Sequence, residues 1–338
     1  MKIRSMKNRR QFISELGLTL LATGFPVLAS SPNPIKPPRL RVGDTVGIIA
    51  PSGWITTQEL KFVTWQLMQQ GLNPKAAPHL MDKYGYLAGL DRDRAADVNT
   101  MFADPNIRGI ITAAGGWGAA RILPLLDYNI IRNNPKVIIG YSDITSLLLA
   151  IYSQCNFITF HGLLGTSHWR SFSVNYLKRV LFTGEAVTFE NPGNIRVETI
   201  TSGSARGQLV GGNLSVLAGL VGSEYLPNWS GKILFIEDIN EDVYRVDRLL
   251  TQLKLAGILD QLSGFIFGQC SRCSPGREGE SSFSLWEVLV DHIQPLGIPA
   301  WYGSAIGHIR DQFTIAIGGM VEINSDRGTI QMLEAAVS

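Results

Sequence analysis

Apolar residues along this chain fall into short β-branched runs that alternate with stretches of helical period. "DTVGIIAPSG" (44–53) is a compact apolar run closed by a turn, and it predicts a first strand. In "TQELKFVTWQLMQQG", Leu60, Val63, Trp65, Leu67 and Met68 recur at roughly helical spacing, with Gly71 as the stop. "DRDRAADVNTMFADP" predicts a second helix, charged at its start and ended by Pro105. "IRGIITAAGGWG" predicts a strand running into a glycine-rich loop, "ARILPLLDYNIIRNNP" further short helical pieces, and "KVIIG" the next strand. Strands alternating with helices predict a parallel sheet covered on both faces.

Near residue 190 the texture changes. "SGSARGQLVGGNLSVLAGLVG", "GKILFIEDI", "LSGFIFGQC" and "FTIAIGGMVEINSDRGTIQMLE" read as strands punctuated by glycine, with one amphipathic helix around Tyr244–Leu255. The pattern predicts an α/β chain with two domains. The first, with the parallel sheet, covers 40–190. The second, over 191–338, is mainly β with one or two helices.

Composition agrees with a large packed core. The chain has 338 residues, 45% of them hydrophobic. No apolar run reaches the roughly 20 residues that span a bilayer. The 35 glycines follow no repeat, which excludes a fibrous chain, and a net charge of +2 carries no nucleic-acid footprint.

That charge is unevenly placed. Residues 1–29 hold five bases (Lys2, Arg4, Lys7, Arg9, Arg10) and one acid, Glu15, of the 30 bases and 28 acids in the chain. The remainder, with 25 and 27, is net −2. Arg9-Arg10 precede Phe12-Ile13, then an apolar stretch ending in Val27-Leu28-Ala29, which resembles a twin-arginine export signal with a small-residue cleavage site. Export to the periplasm is expected, with no membrane insertion after processing; the alternatives are an uncleaved anchor and a cytoplasmic protein. "SSPNPIKPPRL" then reads as a Pro-rich linker over 30–39. Three cysteines are too few for a disulfide scaffold. Cys270 and Cys273 form "CSRC", read as a loop pair, disulfide-bonded after export, rather than a metal site.

Candidate chemistry begins at "KVIIGYSDITSLLLAIY", where Ser142 and Asp143 sit between a strand and a helix. Two readings are open: a helix cap, or a serine nucleophile at a strand–turn–helix elbow. Ile144 stands where G-x-S-x-G would have its second glycine. The loop "AAGGWGAAR" (113–121) matches neither G-x-G-x-x-G nor a Walker loop; it is a tight turn, a phosphate cradle, or a source of amides for an oxyanion. Among five histidines, His79, His168 and His292 have no distinctive flanks, while His161, after "NFITF", and His308, in "AIGHIRDQ", are equal candidates for a base. Glu237 follows the apolar strand "KILFI" and is the candidate acid that orients the base. Its structural alternative is a salt bridge to Arg245 or Arg248.

Taken in order, "GIIAPSG", "RAADVNTMFADPNIRGIITAAGGWGAARILPLLD", "NPKVIIGYSDIT", "FHG", "GQLVGGNLSVLAGLVG", "LFIEDINEDVYRVDRLLTQL" and "GHIRDQ" resemble the LD-carboxypeptidase family over nearly all of 40–333. These serine peptidases include murein tetrapeptide carboxypeptidases and microcin C immunity proteins. The resemblance implies a Rossmann-like N-terminal domain, a β-rich C-terminal domain and an active site between them. It puts the nucleophile on Ser142, the acid on Glu237, the base on His308 and the oxyanion hole on the amides of Gly116 and Asp143. His161 falls on a structural and substrate-side position, and Trp117, Asn213 and Arg310 join it as substrate-side candidates. Arg121 and Arg310 are candidates by type for gripping a terminal carboxylate.

Three departures from the family pattern stand out: Ala114 and Trp117 stand in the loop where Arg and Tyr are usual, Leu163 where Pro follows "HG", and "GSEYLP" where Gly-Thr is common. The first two lie near the expected cleft. The implied reaction is hydrolysis of the bond between an L-centre and terminal D-Ala of a peptidoglycan tetrapeptide, with no metal or organic cofactor and a homodimeric enzyme. The alternatives are a microcin-immunity-like amidase acting on an aminoacyl nucleotide analogue, with Trp117 stacking on the base, and a catalytically silent muropeptide-binding protein.

Overall fold

The structure is a computed structural model and describes residues 33–276 and 281–338. The export signal and cleavage site expected over 1–29 lie outside the described residues, as do the first positions of the linker. The rest of that stretch is not a spacer. Ile35 N–H donates to the Asn156 carbonyl at 2.7 Å and the Ile35 carbonyl accepts from Ile158 at 2.9 Å, while Arg39 N–H donates to Ser338 at 3.0 Å. The folded unit therefore starts at Pro34 rather than Leu40.

Two sheets make up this unit. The first runs from edge to edge through Ile315–Ile317, Thr159–His161, Val137–Gly140, Ile107–Thr112, Thr45–Ile49 and Asn73–Ala76. Its strands β1 (Thr45–Ile49), β2 (Asn73–Ala76), β3 (Ile107–Thr112), β4 (Val137–Gly140) and β5 (Thr159–His161) are mutually parallel. The edge strand β12 (Ile315–Ile317) pairs antiparallel with β5 and comes from the far end of the chain. Helices Thr57–Gln69, Asp91–Ala103 and Tyr128–Asn133 alternate with these strands as the hydrophobic period predicted. The first begins on a Thr56/Glu59 capping box and buries Val63 and Leu67, but Trp65 and Met68 face outward. Its apolar face is narrower than the sequence suggested.

Helix Thr145–Cys155 is different in kind. Leu147, Leu148, Leu149, Ala150 and Ile151 are all fully buried, so the helix is enclosed on every side. Its unbroken "LLLAI" is the sequence mark of that enclosure.

The second sheet runs from edge to edge through Thr188–Phe189, Thr329–Met332, Met320–Asn324, Ser204–Asn213, Ile233–Ile239, Gly264–Ser271, Ala300–Tyr302 and Glu198–Thr201. At its centre β8 (Ser204–Asn213), β9 (Ile233–Ile239), β10 (Gly264–Ser271) and β11 (Ala300–Tyr302) are parallel. Outer strands β6 (Thr188–Phe189), β7 (Glu198–Thr201), β13 (Met320–Asn324) and β14 (Thr329–Met332) pair antiparallel. Helices Leu214–Gly219, Val243–Leu255 and Leu285–Ile293 accompany it, one more than expected. The α/β class holds, with a parallel first sheet and a β-rich second sheet.

The sheets meet at the start of the buried helix. Asn213 N–H, at the end of β8, donates to Thr145 Oγ1 at 3.0 Å. A Cβ on Gly212 would stand 2.5 Å from the Thr145 side chain, so only glycine permits this approach.

Candidate active site

The buried strand β4 ends at Gly140, where a Cβ would lie 2.2 Å from Thr112 Oγ1. Tyr141 is extended, and Ser142 then takes φ +64°, in the left-handed region. For a serine this conformation costs about 1–2 kcal/mol relative to ordinary backbone, and such strain collects at functional sites. The Ser142 side chain caps no helix and makes no hydrogen bond among the described residues. Opposite it, a Cβ on Gly115 would come 3.0 Å from Ser142 Cβ and 3.2 Å from Oγ. Gly116, at φ +119°, follows in this loop, and its N–H has no acceptor among the described residues.

The Asp143 side chain does not cap its own helix either. It accepts hydrogen bonds from Ser52 Oγ at 2.6 Å and Ala119 N–H at 2.8 Å, tying the elbow to the end of β1 and to the far side of the glycine loop. Burial pushes the Asp143 carboxyl above its usual range, and these donors oppose that push. Ser52 was not singled out from the sequence; its place in "APSG", just after a strand, was the available signal.

Glu237 lies near the end of β9, fully buried, and its Oε2 is 2.7 Å from His308 Nδ1. Its other oxygen accepts from Asn213 Nδ2 at 3.3 Å. Gly307, at φ +118°, lets the histidine loop press on the acid, since a Cβ there would be 2.7 Å from Glu237 Oε2. The salt bridge to Arg245 or Arg248 does not form; Arg245 is 3.8 Å from Glu241 instead.

A histidine–carboxylate pair is not distinctive by itself. His79 meets Asp97 at 2.9 Å and His292 meets Asp247 at 2.6 Å. Asp97 is buried like Glu237, so what separates His308–Glu237 is its position on a cleft of about 1030 Å³. Tyr141, the residue before Ser142, lines the same cleft, with its ring centroid 4.8 Å from that of His308. No hydrogen bond joins Ser142 to His308 in this state.

The substrate-side candidates divide. Arg310 lines the cleft, together with Arg170 and His168. Trp117 is 70% exposed, edge-on to Tyr86 at 6.2 Å. Asn213 is buried instead: its amide donates to Glu237 and Asp238, and its carbonyl caps helix Leu214–Gly219 through Val216 N–H at 3.1 Å. His161 is fully enclosed behind Tyr141, with neither ring nitrogen partnered among the described residues, and burial holds its pKa down to about 3. Arg121 forms a forked contact with Asp91 at 2.9–3.1 Å, away from the cleft. Among the described residues no group of three or more His, Cys, Asp or Glu is arranged to hold a metal ion.

A model of the LD-carboxypeptidase N-terminal domain matches residues 46–162, and one of the C-terminal domain matches 206–323. A Bacillus subtilis (strain 168) protein named "Probable murein peptide carboxypeptidase" is 38% identical over 307 residues, covering 90% of this chain and 95% of the relative. The chain belongs to the LD-carboxypeptidase family. Among solved structures of similar fold, MccF in complex with glutamyl sulfamoyl guanosine superposes with TM-score 0.83 at 27% identity, over 90% of this chain and all of that one (100%). A muramoyltetrapeptide carboxypeptidase from Oxalobacter formigenes gives 0.76 at 26%, over 85% and 97%. In LD-carboxypeptidase terms, Ser142 and the glycine loop lie in the N-terminal match, Glu237 and His308 in the C-terminal one. The family and the names of its relatives indicate a carboxypeptidase of murein peptides.

Proposed function

We propose that this protein is a serine LD-carboxypeptidase that releases D-Ala from the peptidoglycan tetrapeptide stem and leaves a tripeptide. The observation that carries the reading is the 2.7 Å contact of His308 with a fully buried Glu237, on a cleft that Tyr141, the residue before Ser142, also lines.

Glu237 accepts a hydrogen bond from His308 Nδ1–H and so leaves Nε2 free as the base. As Ser142 Oγ attacks the carbonyl of the L-centre, His308 takes the hydroxyl proton, the hydrogen bond closing in the substrate complex. The amides of Gly116 and Asp143 receive the oxyanion, each such donor contributing roughly 10²–10³ in rate. His308 then protonates the departing amine of D-Ala, and water, deprotonated by His308, hydrolyses the acyl-enzyme. Arg170 and Arg310 bear on the terminal carboxylate: both line the cleft and neither is ion-paired among the described residues.

A second reading, an amidase of aminoacyl nucleotide analogues, is favoured by the exposed Trp117–Tyr86 pair, a platform on which a base can stack. Mass spectrometry of tripeptide, tetrapeptide and pentapeptide stems, with an acyl sulfamoyl nucleoside alongside, separates the two. Loss of one alanine from the tetrapeptide alone, abolished in Ser142→Ala, is expected. Cleavage of the nucleoside alone transfers the assignment, and an equally active Ser142→Ala removes the mechanism.

A further inference from the structure

Cys270 and Cys273 form a disulfide directly after Gln269, a residue that lines the cleft. Strand β10 runs past the His308 loop and pegs it twice. Gln269 N–H donates to the Ile306 carbonyl at 3.0 Å. Two residues on, the Ser271 hydroxyl donates to the carbonyl of His308 itself at 2.7 Å. Gly268 allows the approach, because a Cβ there would sit 2.5 Å from the Ile306 carbonyl. The second peg is a side chain rather than an amide, so it depends on how Ser271 is held.

Ser271 is held by a closed turn. It lies inside the loop bridged by the Cys270–Cys273 disulfide, and the next residue, Arg272, has φ +56°, a region that non-glycine residues avoid. On the other side, the Ser271 carbonyl accepts from Asn240 N–H at 2.9 Å, and Cys270 is in register with Asp238, the neighbour of Glu237. One disulfide-closed turn therefore touches both the loop of the base and the strand of the acid.

We infer that Ser271 is a positioning residue for His308 and that the Cys270–Cys273 bond keeps it in place, which makes turnover sensitive to thiol–disulfide exchange. The inference rests on reading His308 as the general base. A dithiol reductant attacks one sulfur of the pair, giving a mixed disulfide and one protein thiolate. Its second thiol resolves the mixed disulfide; the protein gains two electrons and two protons as two cysteine thiols, and the reductant leaves as its own disulfide. With the bridge open, Arg272 relaxes from the left-handed region, the Ser271 hydroxyl leaves the His308 carbonyl, and the imidazole loses alignment with Glu237 and Ser142. The peg holds the carbonyl of His308 and not Arg310 two residues on, so the loss is expected in kcat more than in KM.

The test compares wild type, Ser271→Ala, Ser271→Thr and Cys270→Ser/Cys273→Ser, each oxidised and after dithiothreitol. Two quantities are read: kcat and KM on the tetrapeptide stem, and the downfield proton resonance of a histidine N–H bonded to a carboxylate. Oxidised Ser271→Ala should lose about tenfold in kcat with KM within about twofold, in line with the sensitivity of catalysis to small misplacements, and Ser271→Thr should restore it. Reduced wild type and the double variant should show the same loss, and reductant should add nothing to Ser271→Ala. In each impaired form the His308 resonance should broaden or move upfield. Wild-type kcat and resonance in Ser271→Ala overturn the inference, as does a reductant that slows Ser271→Ala as much as wild type. The resonance needs no turnover. If no form cleaves any stem, the proposed function fails while the spectra still decide the positioning role.

Discussion

Ser52 and Asp143 lie 91 residues apart in sequence and are joined by a 2.6 Å hydrogen bond from Ser52 Oγ to Asp143 Oδ2. The same oxygen accepts Ala119 N–H at 2.8 Å, so one carboxylate fastens the first strand's end, the glycine loop and the serine elbow. The loop carrying Gly116 is thus held against Ser142 by a side chain whose backbone amide is itself proposed for the oxyanion hole. Asp143→Ala leaves the Ser52 hydroxyl and the Ala119 amide without their acceptor, and a loss of about 2–4 kcal/mol in urea denaturation is expected. The loosened loop should lower kcat by roughly 10². Ser52→Ala removes one donor and should cost about 1 kcal/mol. An Asp143→Ala enzyme with undiminished kcat would show that the loop holds its shape without this anchor.

At Ser142, stability and activity are expected to pull apart. The left-handed backbone at φ +64° disfavours any side chain, so Ser142→Gly should be more stable than Ser142→Ala by about 1 kcal/mol. Both variants should be inactive, because neither carries the hydroxyl. Thermal denaturation of the two, side by side, makes the comparison. Equal melting temperatures would mean that the elbow relaxes on losing the serine, and that the strain is not imposed by Gly140 and Gly115.

The catalytic candidates were legible because each stands where an apolar strand or a glycine loop ends: Ser142 after β4, Glu237 near the end of β9, His308 after Gly307. The choice between His161 and His308 was not legible from the residues: only the folded chain encloses His161, with no partner at either ring nitrogen among the described residues, and sets His308 on the cleft against Glu237. Asn213 looked like a substrate-side residue, yet the register of β8 against β9 sets it opposite Glu237, a relation that local sequence does not contain. Strand β12 was read as a strand of the second domain, but its three residues pair with β5 in the first sheet, far away in the chain, for the same reason. Trp65 and Met68 fit a helical period without being buried, because their helix needs only Val63 and Leu67 against the sheet.

Two arginines named by type now separate. Arg121 is committed to Asp91 on the surface, whereas Arg310 lines the cleft of His308. Arg310→Ala should raise KM for the free tetrapeptide about tenfold or more, in keeping with the strength of an arginine–carboxylate contact. It should have little effect on a C-terminally amidated analogue. Arg121→Ala loses only an exposed ion pair and should leave KM unchanged, with a stability change of about 1 kcal/mol or less. Steady-state kinetics on the acid and amide substrates read this directly, and an Arg310→Ala effect of the same size on both would remove the carboxylate role.

His161 should control the acid limb of stability. Enclosure, with a smaller contribution from His308, holds its pKa at about 3 against an ordinary 6.5. Between those values the unfolded chain binds a proton at this ring and the folded protein does not. The contribution is fully present above pH 6.5 and is lost as pH falls toward 3. One proton corresponds to about 1.4 kcal/mol per pH unit, or roughly 5 kcal/mol across the window. His161→Phe keeps a ring of similar shape against Tyr141 and Phe235, whose centroids lie 6.0 and 5.3 Å away, and removes the titration. It should cost less than about 1.5 kcal/mol at pH 7. Urea denaturation at pH 7, 5 and 4 should show a slope shallower by one proton in the variant. An acid limb as steep as that of wild type would assign the loss to the other buried groups.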